Sequence, residues 1–452
     1  MLFGFFWSLI MFLIAITLLI AFHEYGHFII ARFFNVKITR FSVGFGKIIW
    51  SRVDKKGTEF ALSLLPIGGY VKMLDERVEP VTDEDLPYAF NRKPIWQRAC
   101  IILAGPIFNL IFAIAAYWLM FIVGVTHLAP IIGEVEPGSI AAAAGLSSSQ
   151  QITAVNQHAI YSWPDFSIAL AKKIGEKTRL PLTVRATNNT QKTVSLDLSR
   201  WHYDASDAYL LDSLGITPAE PDVPAVIDVV LPNTPAAKAG LVNGQTILAI
   251  DKYPVNNWQQ VVSYIKPRAN QQLTIKVKKD NIVSNVQVTV GEQTITSGEK
   301  LGYLGIQSVI VPWPDEMKTI EHYGVIESFI KAVVRTYDNS VTTILLLGKM
   351  IIGKISFKGI SGPIGIAQGA GFSASMGFAH YLSFLALVSI SLAVINLLPI
   401  PMLDGGQFIF CLLEAVIRRP IPEKIQEVCI KVGILLLLSV MLLAIYNDLM
   451  RL

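Results

Sequence analysis

The chain has 452 residues, of which 52% are hydrophobic and only 16% are charged, and its mean hydropathy is +0.49. These values indicate a membrane protein with room for several domains. The formal net charge of +4 argues against a nucleic-acid partner, and the three cysteines imply neither a disulfide framework nor a cysteine zinc site.

Four apolar runs are long enough to cross a hydrocarbon core of about 30 Å. The first has no basic start and no small-residue cleavage site, so we expect a membrane helix rather than a signal peptide. The sequence therefore predicts a polytopic α-helical membrane protein, with transmembrane helices at residues 1–31, 99–125, 379–406 and 428–447.

Lysine and arginine are concentrated in the segment between the first and second spans and in the segment between the third and fourth. The positive-inside rule puts both segments in the cytoplasm. Both termini and the long segment 126–358 are then extracytoplasmic. In a bacterium this describes a multi-pass protein of the inner membrane whose polar segment is periplasmic.

The long polar segment repeats itself at an offset of 95 residues. The aligned positions of the two copies share residue types, and they include Pro137 with Pro232, Ala144-Gly145-Leu146 with Ala239-Gly240-Leu241, and Trp163 with Trp258. This pattern predicts two inserted α+β modules, at 127–220 and 221–311. Each resembles a PDZ domain, which binds an extended peptide at a sheet edge. The alternative is a pair of spacers that bind nothing.

Residues 325–354 carry apolar side chains at helical spacing with charged side chains between them. The pattern predicts an amphipathic helix that lies in the membrane interface. The alternative is a helix that packs on the polar modules.

The segment AFHEYGHFII, residues 21–30, places three ionisable side chains at the end of the first span. On a helix His23 and His27 lie one turn apart, so both imidazoles can bind one metal ion. Glu24 can then polarise a metal-bound water without being a ligand. Ionisable groups in a membrane span indicate function, because an isolated charge there is costly. The alternative is a chance match of HExxH on an amphipathic helix.

A zinc ion used for hydrolysis typically has three protein ligands and a fourth position for water. The candidate for the third ligand is Asp404, in the segment NLLPIPMLDGG at residues 396–406. Pro399 and Pro401 break the helix, Asn396 can donate to a substrate carbonyl, and the glycine pair after the aspartate is expected to turn tightly. The alternative for Asp404 is an ordinary helix cap.

Residues 36–73 predict a small membrane-associated β-meander that follows the catalytic helix. HExxH is a metalloprotease signature, and a helical peptide bond could not enter such a site because its carbonyl is already hydrogen-bonded, so a helical substrate would have to be unwound. A sheet edge, for example at residues 38–53, could hold the substrate as an added strand, with Gly44, Phe45 and Gly46 in contact with it. The alternative is a plain cytoplasmic hairpin.

Together these motifs resemble the site-2 protease family of intramembrane zinc metalloproteases, and most closely its bacterial members with tandem PDZ domains. The resemblance covers essentially the whole chain. The matching motifs are His23-Glu24-x-x-His27, Gly105-Pro106-x-x-Asn109, Ser361-Gly362-Pro363 and Asn396-x-x-Pro399-x-Pro401-x-x-Asp404-Gly405.

The resemblance implies a zinc endopeptidase that cuts other membrane proteins within or beside their transmembrane helices. Its catalytic site would lie toward the cytoplasmic side, with Zn²⁺ as cofactor and Asn109 among the substrate-binding residues. The implied substrates are anti-sigma factors already trimmed in the periplasm, and remnant signal peptides.

Two other functions are alternatives to proteolysis. A membrane-tethered PDZ scaffold or chaperone with a structural zinc site would need the ligands but no base. A metal transporter would need further acids or histidines along the spans, and the run 99–125 contains none.

Overall fold

The structure is a computed structural model that describes residues 2–201, 203, 210–294, 300–309 and 311–451. Residues 1 and 452, at the ends of the chain, lie outside the described residues. So do residues 202, 204–209, 295–299 and 310, which belong to the two predicted repeat segments.

The described residues form eleven α-helices. In chain order they are α1 (Leu2–Phe33), α2 (Ile95–Val123), α3 (Ile140–Ala143), α4 (Trp163–Ala171), α5 (Pro235–Lys238), α6 (Trp258–Ile265), α7 (Val325–Ile351), α8 (Pro363–Ser375), α9 (Phe378–Asn396), α10 (Asp404–Ile417) and α11 (Glu423–Arg451).

The same residues form eighteen β-strands, most of them in the polar segment. They are β1 (Ile38–Val53), β2 (Glu59–Met73), β3 (Val125–Leu128), β4 (Ile132–Val135), β5 (Gln151–Val155), β6 (His158–Ala159), β7 (Arg179–Arg185), β8 (Gln191–Asp197), β9 (Ile216–Pro218), β10 (Ile227–Val230), β11 (Thr246–Ile250), β12 (Tyr253–Pro254), β13 (Gln272–Lys279), β14 (Ile282–Thr289), β15 (Gly291–Thr294), β16 (Lys300–Tyr303), β17 (Ile306–Ser308) and β18 (Lys318–Glu321).

Four of these helices, α1, α2, α9 and α11, are long and apolar enough to cross a membrane, which confirms the predicted number among the described residues. Helix α2 lies at their centre and contacts α1, α7, α9 and α10. Alanines such as Ala15, Ala113 and Ala386 are buried where the helices meet. Lipid tails give helices no hydrophobic reason to associate, so these small side chains matter because they allow close van der Waals packing.

Two helices flank α9 that the sequence did not predict, α8 and α10. The residue before α9, Gly377, has φ of 119°, and this breaks the apolar run between α8 and α9. The glycine pair after Asp404 does not form the expected tight turn, because both residues lie in the first turn of α10. A Cβ on Gly405 would overlap the Leu397 carbonyl, and one on Gly406 would overlap the Ile400 carbonyl. The glycines therefore let the preceding loop fold back onto α10.

The sheet formed by β1 and β2 is not the predicted meander, which would pair neighbours along the chain. Residues 38–43 of β1 pair with 69–73 of β2 on one side, residues 40–43 also pair with 59–62 on the other, and residues 48–53 pair with 59–63. The glycines at 44 and 46 have positive φ, which lets β1 bend between its halves. Residues 40–43 are therefore interior and cannot accept a further strand. Within the described residues, the free edges are 69–73 and 48–53.

The two halves of the polar segment have the same topology. One four-stranded sheet has the order β6-β5-β7-β8 and the other β12-β11-β13-β14. The elements β4, α3, β5, β6 and α4 each begin 95 residues before β10, α5, β11, β12 and α6. Each half has its own hydrophobic core. The repeat in the sequence is thus a repeat in structure.

The first module is attached to α7 by charged side chains. Arg335 of α7 pairs with Asp165 of α4 at 2.7 Å. Lys349 lies 14 residues after Arg335, about four turns further along the same face of α7, and donates to the carbonyls of Lys172 and Ile174. The amphipathic helix therefore joins the polar module to the membrane helices.

The long polar segment leaves and rejoins the membrane helices at one place, where β3 pairs with β18. The backbone N–H of Ala129 donates to the carbonyl of Met317 at 2.8 Å. We call this strand pair the neck.

Candidate metal centre

Three side chains from two distant parts of the sequence converge beside α2. His23 Nε2 lies 3.2 Å from His27 Nε2 and 3.1 Å from Asp404 Oδ2, and His27 Nε2 lies 3.6 Å from Asp404 Oδ1. A tetrahedral zinc ion with bonds of 2.0–2.1 Å holds neighbouring ligand atoms roughly 3.3 Å apart. The spacing of the two imidazole nitrogens and the Asp404 carboxylate oxygens therefore matches the edges of a zinc tetrahedron.

The protonation of His27 is fixed by its second ring nitrogen. Nδ1 lies 2.8 Å from the carbonyl oxygen of Ile101 in α2. A carbonyl can only accept, so Nδ1 must carry the proton and Nε2 presents its lone pair. Metal-binding histidines are commonly oriented in this way.

Asn109 orients His23 in a similar way. Its side-chain amide lies 3.1 Å from His23 Nδ1, and its Oδ1 is buried without a hydrogen-bond partner among the described residues. The oxygen and nitrogen of an amide have nearly the same shape, so their assignment follows from the hydrogen bonds they can make. Exchanging them lets Oδ1 accept from His23 Nδ1–H, which leaves the Nε2 lone pair for a metal.

One oxygen of the Asp404 carboxylate also lacks a hydrogen-bond donor. Its Oδ2 is buried, 3.1 Å from His23 Nε2, and has no hydrogen-bond partner among the described residues. An unprotonated imidazole nitrogen cannot satisfy it, because both atoms then offer lone pairs. A buried group of this kind is costly unless a cation lies between the atoms. Two imidazole nitrogens and one carboxylate are donors that suit zinc, so the residues fit this ion.

Glycines make room for the site. A Cβ on Gly105 of α2 would lie 2.7 Å from His23 Nε2 and still closer to His27 Nε2. A Cβ on Gly26 would lie 2.5 Å from the Ala104 carbonyl. α1 and α2 can therefore approach closely enough for the imidazoles to lie directly against the α2 backbone.

Glu24 lies next to the ligands on α1 and faces the β1–β2 sheet. A Cβ on Gly69, at one end of the free edge 69–73, would lie 3.0 Å from Glu24 Cγ and 3.0 Å from a side-chain carbon of Ile20. The lack of a side chain at residue 69 thus brings the sheet edge directly against the candidate base.

The other predicted site residues lie around this centre. Asn396 is the last residue of α9, and the loop that follows holds Pro399, which is exposed, and Pro401, which is half-buried. The Phe45 ring stacks on Tyr70 with centroids 6.2 Å apart, at the bend of β1. No hydrogen bond described for these residues or for the glycines beside Phe45 reaches the three ligands.

Sequence reasoning missed several residues that position the site. The carbonyl of Ile101 gives no signal in a sequence, and Ser389, which donates to the Asn109 carbonyl at 2.8 Å, resembles any small residue of a span. Arg98 did carry a signal, because a cation at the start of an apolar run needs a partner. It pairs with Glu414 of α10 at 2.6 and 3.0 Å, and so ties the helix that begins with Asp404 to α2.

Comparison with known proteins identifies the family. The model of peptidase family M50 matches residues 11–440. The chain belongs to this family. It is 39% identical to the regulator of sigma-E protease RseP of Escherichia coli K12 over 99% of this chain and 100% of the relative. It is 40% identical to a putative zinc metalloprotease of Vibrio cholerae over 99% of both chains.

Among solved structures, a PDZ domain of an SdrC-like protein from Listeria monocytogenes is 19% identical and covers 24% of this chain and 100% of its own, with a TM-score of 0.17.

The family and the relatives show that this chain is a zinc metalloprotease of the site-2 type, as the sequence predicts. The non-proteolytic scaffold is not favoured. The four apolar helices of this chain and its relatives indicate a bacterial inner-membrane protein.

Proposed function

We propose that this protease cuts single-span membrane proteins at a zinc ion held by His23, His27 and Asp404, with Glu24 as general base. One observation carries the assignment. The Nε2 atoms of two histidines on α1 and the carboxylate oxygens of Asp404, at the start of α10, converge at the spacing of zinc ligands, and the carboxylate Oδ2 is buried without a hydrogen-bond partner among the described residues.

A zinc ion held by these three residues would supply Lewis-acid chemistry, lowering the pKa of a water molecule to about 7 and polarising a carbonyl. Glu24 takes the proton of the attacking water and returns it to the leaving amine. Ile101 and Asn109 hold the two imidazoles in the tautomers that leave Nε2 free. Asn109 is thus a positioning residue, although the sequence placed it among the residues that contact substrate.

The substrate would enter as an extended strand. Residues 69–73 form a free edge that begins beside Glu24, and backbone N–H and C=O groups on such an edge can pair with an unwound peptide. Asn396 would donate to a substrate carbonyl beside the loop of Pro399 and Pro401. The bend at Phe45, with its flanking glycines, would contact the same strand.

We place the β1–β2 sheet and the catalytic site toward the cytoplasmic side, and both termini and both modules in the periplasm, because the lysines and arginines flank the spans in that pattern. Helix α7 would lie in the membrane interface. Its exposed apolar residues support this, and they include Ile326, Phe329, Ile330, Val334 and Tyr337.

Both modules would be PDZ domains, on the strength of their shared topology. The relatives named regulator of sigma-E protease suggest substrates of the anti-sigma factor type after a first periplasmic cut, and remnant signal peptides are a second class. The modules would either exclude substrates with a large periplasmic domain or grip a newly exposed C-terminus.

The proposal is tested by incubating the purified full chain in detergent with a model single-span substrate, with and without a zinc chelator. Glu24→Gln should retain zinc, measured by elemental analysis, and lose at least a hundredfold in cleavage rate because the amide cannot accept a proton. Asp404→Asn should lose both zinc and cleavage, because a neutral amide is a poorer zinc ligand.

Two results would contradict the assignment. Substantial turnover by Glu24→Gln would remove Glu24 as the base. Full zinc occupancy in Asp404→Asn would remove Asp404 from the ligands. Asp83→Asn is the control for Asp404, because it makes the same substitution at an exposed carboxyl that is not one of the three clustered ligands.

A further inference from the structure

The turn between β1 and β2 carries an unusual group of cations. Arg52, Lys55 and Lys56 are exposed, and no salt bridge to them is described. By contrast, other cations of this region are paired, such as Arg40 with Glu59 at 2.7 Å. We call these three residues the basic turn. Their charges are available to a partner outside the chain.

The strand that leads into the basic turn exposes large apolar side chains. Ile49 is 62% exposed, Trp50 is 56% exposed and Val53 is 62% exposed. Neighbouring residues of a strand point to opposite faces, so both faces of this edge are apolar and uncovered. A soluble protein rarely exposes a contiguous apolar patch of this kind, which marks a membrane or protein contact.

The depth of the turn follows from its attachment to α1. Arg32, in the last turn of α1, forms an ion pair with Asp54, next to Lys55. This guanidinium holds the pKa of the Asp54 carboxyl below its usual range, so the pair persists at neutral pH. The basic turn is therefore level with the end of the first span, where lipid headgroups lie. Glu24 is eight residues back along α1, about 12 Å deeper.

From this arrangement we infer that the basic turn binds the phosphate-bearing headgroups of anionic phospholipids and thereby anchors the β1–β2 sheet beside the catalytic helix. The positive side chains are complementary to the negative headgroups, and the apolar strand next to them can contact the acyl chains below. The inference rests on the proposed placement of this sheet in the membrane. Its consequence is that the order of the sheet, and so the presentation of the edge 69–73, depends on anionic lipid.

The test compares the full chain reconstituted in phosphatidylcholine alone and in phosphatidylcholine with phosphatidylglycerol. The readouts are hydrogen–deuterium exchange of residues 47–60 without substrate, and cleavage of a single-span substrate with a neutral cytoplasmic flank. In the anionic membrane we expect slower exchange and faster cleavage. Raised salt should reduce both differences, because it screens the headgroup charge.

The variant neutralises the basic turn by Arg52→Gln, Lys55→Gln and Lys56→Gln. It should lose the response to phosphatidylglycerol. Its affinity for anionic lipid should fall about fivefold for each cation removed, which is the scale of one cation at an anionic surface. The matched control is Lys252→Gln, Lys276→Gln and Lys278→Gln, three exposed cations of the second module. It makes the same change of net charge and should keep the response.

Equal exchange of residues 47–60 in the two membranes would overturn the inference, and so would a full response in the basic-turn variant. If the variant slowed cleavage only of substrates with an acidic cytoplasmic flank, in both membranes alike, the partner would be the substrate and not lipid. The exchange experiment needs no proteolysis. A chain that showed lipid-dependent protection but never cleaved would refute the proposed function and leave this inference standing.

Discussion

His27 and Ile101 are separated by 74 residues, yet the ring nitrogen Nδ1 of the first lies 2.8 Å from the backbone carbonyl of the second. Gly105 and Asn109 follow Ile101 at intervals of four residues, so all three lie on one face of α2. Ile101 orients the imidazole of His27, Gly105 leaves room for both rings, and Asn109 orients the imidazole of His23. The metal centre is therefore formed by α2 as much as by the HExxH helix.

Asn109 should set the zinc affinity through the tautomer of His23. Asn109→Leu keeps the volume but removes the hydrogen bond, and we expect zinc affinity to fall about 10- to 100-fold, the usual effect of losing such a supporting partner. Competition with a chromogenic chelator measures the affinity directly.

Asn109→Asp is the matched variant, because a carboxylate can accept from His23 Nδ1–H but cannot donate. Zinc affinity close to that of the unaltered chain is expected. If Asn109→Asp binds zinc as weakly as Asn109→Leu, then the amide donates to His23 and the proposed tautomer is wrong.

Gly105→Ala should displace the metal ligands. The added methyl group would overlap both imidazoles, and neither ring can move away without leaving Ile101 or Asn109. We expect zinc occupancy to fall severely while the helices still form, since overpacking of this kind costs about 1–3 kcal/mol. Elemental analysis and circular dichroism check the two parts of this prediction.

Gly4→Ala is the control for this substitution, because nothing lies within 4 Å of a Cβ at residue 4 and the residue is on the helix that carries the histidines. It should retain zinc. Normal zinc content in Gly105→Ala would show that α1 and α2 can separate without harm to the site.

The sequence predicted the spans and the motifs because both are local signals. Apolar length defines a membrane helix, and residues at i and i+4 define one face of it. The order of strands in the β1–β2 sheet is a different matter. The bend between the halves of β1 lets residues 40–43 pair twice, and neither alternation nor glycine content specifies which partners they take.

The start of α10 shows a second limit. Gly405 and Gly406 were expected to form a turn, because glycine favours turns on average. In this chain both positions require glycine because the carbonyls of Leu397 and Ile400 occupy the space that a Cβ would need. A contact that forms when a loop folds back onto the following helix gives no periodic signal in the sequence.

The free edge 69–73 should be the place where substrate is held. A proline scan of residues 69–73 should lower turnover about tenfold or more at positions whose N–H points away from β1, because proline removes the donor that a substrate strand needs. Zinc content should be unchanged. Turnover and elemental analysis measure the two effects.

The other free edge provides the control. Ser51→Pro lies on residues 48–53, the edge on the far side of the sheet, and should affect turnover much less. Equal losses at both edges would point to general damage of the sheet, and unaltered turnover across 69–73 would exclude this edge as the acceptor.

The two modules should act as a size filter. Replacing residues 131–311 with a short flexible linker is feasible because the neck already holds Ala129 and Met317 in hydrogen-bond contact. We expect the shortened protease to cut substrates that still carry a large periplasmic domain, while trimmed substrates remain good. Cleavage of matched trimmed and untrimmed substrates with one transmembrane segment measures this.

A shortened protease that binds zinc and cuts trimmed substrates, yet still rejects untrimmed ones, would disprove the filter. Slower cleavage of trimmed substrates would instead support the competing role, in which the modules grip a new C-terminus.

The neck has a mechanical consequence, because only Gly124 separates its first strand from the end of α2. Helix α2 has 29 residues and is a rod about 43 Å long. One end of this rod is joined to the modules, and its opposite half carries Ile101, Gly105 and Asn109. A force that a colliding protein exerts on the modules therefore acts on the same helix whose residues hold both imidazoles.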